Sequence, residues 1–452
     1  MGAELNPVLS AWESIPATLD IAANPASPKP ARTKPNKDSL VKALAQVAAT
    51  TGTVTRGKRA FPHPFPARMP IDVALAAVQA FSLKGDRVLD PMSGSGIVTH
   101  AAQRLGRLGI GRDVDPLAVL ISKVFCSSPN LENWPNFSFE ILARARSLAS
   151  DPNFRKSKLK LLPKEDQQFI AYWFDPKVSA QLFALADAIL STNVTELSLL
   201  SSVVLSSLII AKSSGVSRAL DLARSRPHRV DGRPKKYPFD IWSNRSAQFT
   251  RSFESRADSL NTADIQLGDA RVLELESNSV DAVITSPPYL NAIDYIRASK
   301  FSLVFLGAQL EALRKIRSES IGTEVGLRTG ILPKELEKLV DGSVADLSRR
   351  PMIRHYLADM LKALQETQRV LKPGSPAMYI LGPSILSRRD YDADEVFSRL
   401  ARLCNFEVIG VARRDLSSAN RSLPPPKRNA RGDAINRRMT CEIFILLRKG
   451  AN

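Results

Sequence analysis

Between residues 87 and 113 the chain alternates a short apolar run, a glycine-rich turn, a helical run and a second short apolar run. Arg87-Val88-Leu89-Asp90 has the composition of a buried strand, and Gly94-Ser95-Gly96 opens a helix that reaches Arg104. Residues 108–113 form a second strand, and Pro116 is placed to begin a further helix. Strand, turn, helix, strand is the unit from which parallel α/β sheets are built, so the pattern excludes all-α and all-β folds for this region. Glycines at the turn let backbone approach a ligand closely, and the acid ending the next strand, Asp113, is of a type that binds ribose hydroxyls. The pattern points to an adenosine-type cofactor site. A dinucleotide is less well matched, because Thr99 stands where the third glycine of that fingerprint would fall. The plain alternative is an ordinary tight turn.

The α/β rhythm breaks and then returns. Residues 1–50 carry six prolines among Ala, Ser and Lys and read as a flexible basic tail. Residues 51–130 hold the glycine-turn unit. Within 131–261, residues 167–192 and 195–212 read as long amphipathic helices, followed by a loop-like basic segment over 213–259. Between 212 and 256 there are eleven Lys/Arg against four Asp/Glu. Of these Arg224, Arg226, Arg229, Lys235 and Lys236 are the candidates for phosphate contacts, with a solvated loop as the alternative. From 262 to 452 the alternation resumes, with strands expected over 281–284, 377–381, 406–411 and 442–447 and a helix over 354–370. The first of these strands runs into Ser286-Pro287-Pro288-Tyr289. Two prolines there fix the backbone, so a carbonyl and the Ser286 hydroxyl can aim at one amino group while the Tyr289 ring stacks on a flat base.

Composition narrows the partners. A net charge of +18 favours a polyanion, and nucleic acid is the commonest. Three cysteines, none in a CxxC pair, and four scattered histidines leave neither a disulfide framework nor a metal site by spacing. The longest uncharged apolar run, 197–211, is interrupted by five serines and is too short to span a bilayer, so no membrane partner is expected. No secretory leader is read at the start of the chain, so a cytoplasmic, nucleoid-associated location is expected. Residues 52–59 nearly spell a P-loop, but Arg59 replaces the metal-binding Ser/Thr and no strand precedes them. Arg413, Arg414, Arg421, Lys427, Arg428, Arg431, Arg437 and Arg438 mark a second basic loop, with a solvated hairpin as an equal reading.

Taken in order, DPMSGSG and TSPPY resemble the amino-methyltransferase family that methylates exocyclic amines of DNA bases from S-adenosylmethionine. The resemblance extends to His63-Pro64-Phe65-Pro66-Ala67-Arg68, to Gly268-Asp269-Ala270 and to residues 290–307, and covers about 55–125 and 262–450. It implies a Rossmann-like class I methyltransferase sheet, with a helical, basic insertion standing off it between a cofactor half and a catalytic half. It implies that Asp90, Pro91 and the Gly94-Ser95-Gly96 turn shape the pocket around the methionine part, with Phe65 beside it. Asp113 would hold the ribose and Asp269 the adenine amine. Ser286 and the Pro287 carbonyl would accept bonds from the target amine on the loop completed by Pro288, and Tyr289 would stack on the flipped base. The family usually has Thr after GSG; here Ile97 stands there. Implied partners are double-stranded DNA and a cognate restriction endonuclease or defence-system component, as in restriction-modification.

Ser before Pro-Pro-Tyr is commoner in that family for cytosine N4, so this base is the expected target. Adenine N6 stays open, as does guanine N2 of RNA, which uses related NPPY or DPPY loops. A DNA-binding protein with a degenerate methyltransferase fold is the non-enzymatic alternative.

Overall fold

A computed structural model describes residues 36–50, 61–66, 68–211, 215–220, 222, 227–232, 236–254, 263–289, 294–323, 325, 332–343, 350–382, 384–386, 389–391, 393–416 and 441–450. In chain order its strands are β1 (Arg87–Asp90), β2 (Leu108–Asp113), β3 (Ala219–Leu220), β4 (His228–Arg229), β5 (Ala263–Leu267), β6 (Ala282–Thr285), β7 (Pro376–Leu381), β8 (Ser384–Leu386), β9 (Arg389–Tyr391), β10 (Phe406–Asp415) and β11 (Cys441–Lys449). Seven of them form one sheet in the order β10-β11-β7-β6-β1-β2-β5, while β3–β4 and β8–β9 are small separate hairpins. All neighbours in the large sheet are parallel except β11, which runs antiparallel to both β10 and β7. This is the α/β, Rossmann-like architecture expected from the sequence. Leu89 sits opposite Val283, so the glycine-turn half and the proline-loop half share one sheet.

The chain leaves β1 toward β2 and β5 on one side, and β6 and β7 build outward on the other. The order therefore reverses between β1 and β6, and a crevice opens beyond their carboxyl ends, where ligands of such sheets bind. Alternation along each strand covers both faces. Val88, Ala282, Ile284, Met378 and Ile380 pack on one face under the helices Lys37–Ala48, Ile71–Phe81 and Ile97–Arg104. Leu89, Val283, Ala377 and Tyr379 pack on the other under Arg350–Val370 and Ala393–Leu403.

Four sequence expectations are corrected. Residues 37–48 are not part of a flexible tail: they form a helix capped by Asn36, whose Oδ1 accepts from Ser39 N at 2.8 Å, and they bury Leu40, Leu44 and Val47 in the sheet's core. Residues 1–35 and the P-loop-like 52–59 lie outside the described residues. The 167–192 helix is two helices, Lys164–Trp173 and Pro176–Leu190, because Pro176 cannot continue a helix and Asp175 caps the second one. The loop-like 213–259 contains a helix, Pro238–Glu254, that buries Trp242, Phe249 and Phe253. Nor does the insertion stand off the sheet. Its helices share one hydrophobic cluster with Leu117–Phe125, with Ile265 of β5 and with Phe301–Leu306. At its centre lies Glu196–Ile209, buried from Ser198 to its end. Its serines satisfy themselves inside: Ser201 and Ser202 donate to the carbonyls of Leu197 and Ser198, and Ser206 to Ser302 Oγ. That internal bonding lets a serine-broken apolar run be a core helix.

Candidate active site

The turn after β1 is held in a left-handed conformation at Gly94 (φ 50°) and Gly96 (φ 78°), which side-chain-bearing residues rarely adopt. Its geometry is tied to the next strand. Asp113 Oδ2 accepts from Gly94 N at 2.7 Å and Oδ1 from Asp115 N at 2.9 Å, so one carboxylate locks the turn and the start of the following helix. Across the strand reversal, the Thr285 hydroxyl donates to Asp90 Oδ1 at 2.7 Å, joining the tip of β6 to the tip of β1.

One cavity, of about 190 Å³, gathers most of the residues singled out by sequence. Phe65, Asp90, Pro91, Gly94, Ser95, Asp113, Asp269, Ser286 and Pro288 all line it. Gly96, Pro287 and Tyr289 do not. Gly96 caps the helix behind the turn, Pro287 is buried, and Tyr289 lies beside the cavity with its hydroxyl 3.3 Å from Ser286 Oγ. Both oxygens of Asp269 are bound by Arg271, whose Nε lies 2.9 and 3.1 Å from them and whose Nη2 lies 2.6 Å from Oδ2. Arg271 also reaches Asp359 at 2.8 Å and the Glu319 carbonyl, so Asp269 is a fixed part of the wall. Of the nominated phosphate contacts, Arg224, Arg226 and Lys235 lie outside the described residues. Arg229 and Lys236 are exposed and away from the cavity, with the Arg229 guanidinium 5.0 Å over the Tyr172 ring. Of the second basic loop, residues 421–438 lie outside the described residues. Arg413 and Arg414 belong to β10 and pair with Asp394 and Glu442.

Sequence reasoning missed three of the cavity's side chains. Tyr295 stacks on Phe65, with ring centroids 5.9 Å apart and planes 13° off parallel. Arg271 directly follows the GDA run and carries no motif of its own. Arg68 ends the HPFPAR run; its Nε donates to Ser95 Oγ at 3.0 Å, while its buried Nη2 has no hydrogen-bond partner among the described residues. Burial pulls this guanidinium down to about 10. Among the described residues no group of His, Cys, Asp and Glu could hold a metal, and no helix is long and apolar enough to cross a membrane.

Residues 25–123 match the family model described as DNA methylase of the N6/N4 type. That stretch is similar to the DNA amino-methyltransferase family. It is 28% identical over 158 residues to the Type II methyltransferase M.AvaI of Nostoc sp., a match covering 30% of this chain and 32% of that one. It is 23% identical over 170 residues to the Type II methyltransferase M.BsoBI of Geobacillus stearothermophilus, covering 30% and 33%. The matches thus span about a third of the length of these curated relatives. Among solved structures it is similar to a putative DNA modification methylase from Thermus thermophilus complexed with S-adenosylmethionine, at 16% identity and a TM-score of 0.23, over 41% of this chain and 54% of that one. A TehB-like methyltransferase from Corynebacterium glutamicum covers 83% and 86% at 9% identity and a TM-score of 0.28. Overlaps this weak add nothing to the strand order already given.

Two of the cavity's carboxylates, Asp90 and Asp115, are poised to titrate near neutrality. Burial pushes Asp90 up to about 7, against the bonds from Thr285 and Met92 N that favour its charge, and the neighbouring Asp113 adds to the rise. Burial likewise pushes Asp115 up to about 7, although Ser299 donates to it. An unfolded Asp titrates near about 3.9, so each group binds its proton more tightly when folded. The stability this contributes is complete below about pH 4 and is lost as pH rises through about 7. The ligand-free chain should therefore gain stability when Asp90 is made permanently neutral, and the gain of Asp90→Asn should be larger at pH 8 than at pH 5.5. Calorimetric melting of both chains at the two pH values checks this; a pH-independent difference would contradict it.

Asp113 carries a second expectation. Asp113→Ala removes the acceptor for Gly94 N and for any hydroxyl bound at the end of β2. Affinity for S-adenosylmethionine should fall by about 1.5–3 kcal/mol, roughly tenfold or more. Isothermal titration measures it, and unchanged affinity would place the ribose partner elsewhere.

Proposed function

We propose that this protein transfers a methyl group to the exocyclic amine of a base extruded from duplex DNA, cytosine N4 being the favoured acceptor. The observation that carries this reading is a single cavity bordered by both motifs. Asp90, Gly94 and Asp113 stand on one side, and Ser286 and Pro288 on the other.

The residues present fit S-adenosylmethionine. The unpartnered Arg68 Nη2 suits a carboxylate, Asp90 suits an ammonium, and Asp113 has lone pairs left for hydroxyls. Phe65 stacked on Tyr295 supplies an aromatic wall, and Asp269, held by Arg271, completes the far side. When bound, this cofactor supplies an electrophilic methyl group on a sulfonium sulfur. The chain's own task is orientation. A base's exocyclic amine is conjugated with its ring, so its lone pair is a poor nucleophile. Ser286 Oγ and the Pro287 carbonyl accept its two N–H bonds, favour a pyramidal nitrogen and aim the lone pair. Pro287 and Pro288 hold that loop stiff, and Tyr289 offers a stacking face for the extruded base.

Nucleoside mass spectrometry of duplex DNA and of RNA incubated with the protein and S-adenosylmethionine tests the proposal. N4-methylcytosine in DNA is expected. N6-methyladenine would change the base and keep the chemistry. Methylated guanine in RNA, or no product with cofactor bound, would overturn the function.

A further inference from the structure

A second cavity, of about 730 Å³, lies against the first and shares Ile296, Arg297 and Arg317 with it. Its walls come from the helices Tyr295–Leu303, Leu310–Glu319 and Lys164–Trp173, with Pro227 closing one side just ahead of β4. Four cations line it: Arg297, Lys300, Arg314 and Arg317. Two carboxylates answer them. Asp294 is shared by Arg297, at 3.2 Å, and Arg317, and Glu165 pairs with Arg314. Lys300 has no carboxylate within salt-bridge distance among the described residues; its ammonium lies 5.1 Å over the Phe169 ring. The groove thus keeps an excess of two positive charges, with one ammonium partly desolvated and held open by an aromatic face.

S-adenosylmethionine carries no phosphate, so a cationic groove beside its cavity is not explained by the cofactor. A nucleotide swung out of a duplex, however, brings its own phosphodiesters to the mouth of the cavity that receives its base. We propose that this groove binds the backbone phosphates flanking the extruded nucleotide, with Lys300 and Arg314 as direct contacts and Arg297 and Arg317 at the passage into the active site. The inference rests on the methyltransferase reading above and assigns its DNA contacts to a surface other than residues 224–236.

The test is the salt dependence of binding to a short fluorescent duplex DNA, followed by anisotropy with S-adenosylhomocysteine present. Each phosphate contact contributes about 0.9 to the slope of log K against log[salt], so the double variant Lys300→Gln/Arg314→Gln should lower the slope by about 1.8. The charge-keeping pair Lys300→Arg/Arg314→Lys should stay near the wild-type value. Unchanged S-adenosylhomocysteine affinity shows that each variant is folded. Should Lys300→Gln fail that check, Arg314→Gln alone, at an exposed position, should lower the slope by about 0.9. An unchanged slope in folded Gln variants, or an equal fall in the charge-keeping pair, overturns the groove while methylated product from the wild type keeps the methyltransferase reading standing. If the wild type binds S-adenosylhomocysteine yet neither binds DNA nor yields methylated DNA, both fall. A slope change seen with RNA of the same sequence and not with DNA also overturns the proposal.

Discussion

Ser286→Ala should lower turnover by about 10²–10³-fold, roughly 2.7–4 kcal/mol, while S-adenosylmethionine affinity stays within about twofold. The size follows from where the side chain stands. Ser286 lines the cavity directly after β6, and its Oγ is 3.3 Å from the Tyr289 hydroxyl. If Ser286 donates its proton to that hydroxyl, both of its lone pairs face the incoming amine, the arrangement an acceptor needs. Burial pushes the Tyr289 phenol upward, so it stays protonated and neutral at working pH. On the function proposed above, alanine removes an acceptor that orients the reacting amine, and the loss therefore falls on kcat. Tyr289→Ala should instead raise the KM for DNA, losing a stacking contact of about 1–3 kcal/mol. Tyr289→Phe keeps the ring but removes the partner of the Ser286 proton, so its cost should be smaller and should appear in kcat. Steady-state kinetics on a duplex substrate carrying the target sequence, with cofactor titration alongside, separate the three. Equal losses in kcat and cofactor affinity for Ser286→Ala would mean that the serine supports the pocket and not the amine.

How far the site was legible in the chain depends on how local each part is. The turn at 90–96 and Asp113 were readable because one βαβ unit places them within twenty-four residues of each other. Ser286 and Pro288 were readable as a loop, but their meeting with Asp90 depends on the parallel pairing of β1 with β6, some 190 residues apart in the chain. Arg68 and Tyr295 carry no local signature. One is a single arginine after a proline-rich run, the other the first residue of an amphipathic helix, and only the folded cavity brings them together. β5 was missed because Ala263–Leu267 is a short edge strand with polar residues on its outer positions. The helix Lys37–Ala48 was hidden by the prolines before it. The groove of Lys300 and Arg314 is hidden differently: its four cations are spread over two helices, Tyr295–Leu303 and Leu310–Glu319, and form no dense charge run. The charge run over 212–256 is dense, yet density does not say which cations stand beside the cavity.

Gly96→Ala should abolish cofactor binding and destabilise the fold, and Gly85→Ala supplies the scale for why. Both glycines have almost the same backbone angle, φ 78° and 79°. At Gly85 an added Cβ would meet nothing within 4 Å, so its substitution reports the left-handed conformation alone, about 1–2 kcal/mol. At Gly96 the same Cβ would lie 2.2 Å from Ser122 Oγ and 3.1 Å from Ser122 Cα. Turning the serine side chain relieves the first overlap but not the second, because Ser122 is fully buried on the helix Pro116–Cys126. The turn and that helix must therefore separate, at the further cost of about 1–3 kcal/mol usual for an overpacked core. Separation would pull Gly94 N away from Asp113 Oδ2 and open the cavity where its two halves are tied. Thermal melting should show a clearly larger fall in Tm for Gly96→Ala than for Gly85→Ala, and titration should show lost S-adenosylmethionine binding in the first variant alone. Ser122→Gly in the Gly96→Ala background should recover part of both, since it removes the side-chain overlap and leaves the dihedral strain. Equal behaviour of the two single variants would mean that the turn can shift freely, and that the close approach of strand, turn and helix is not what shapes the pocket.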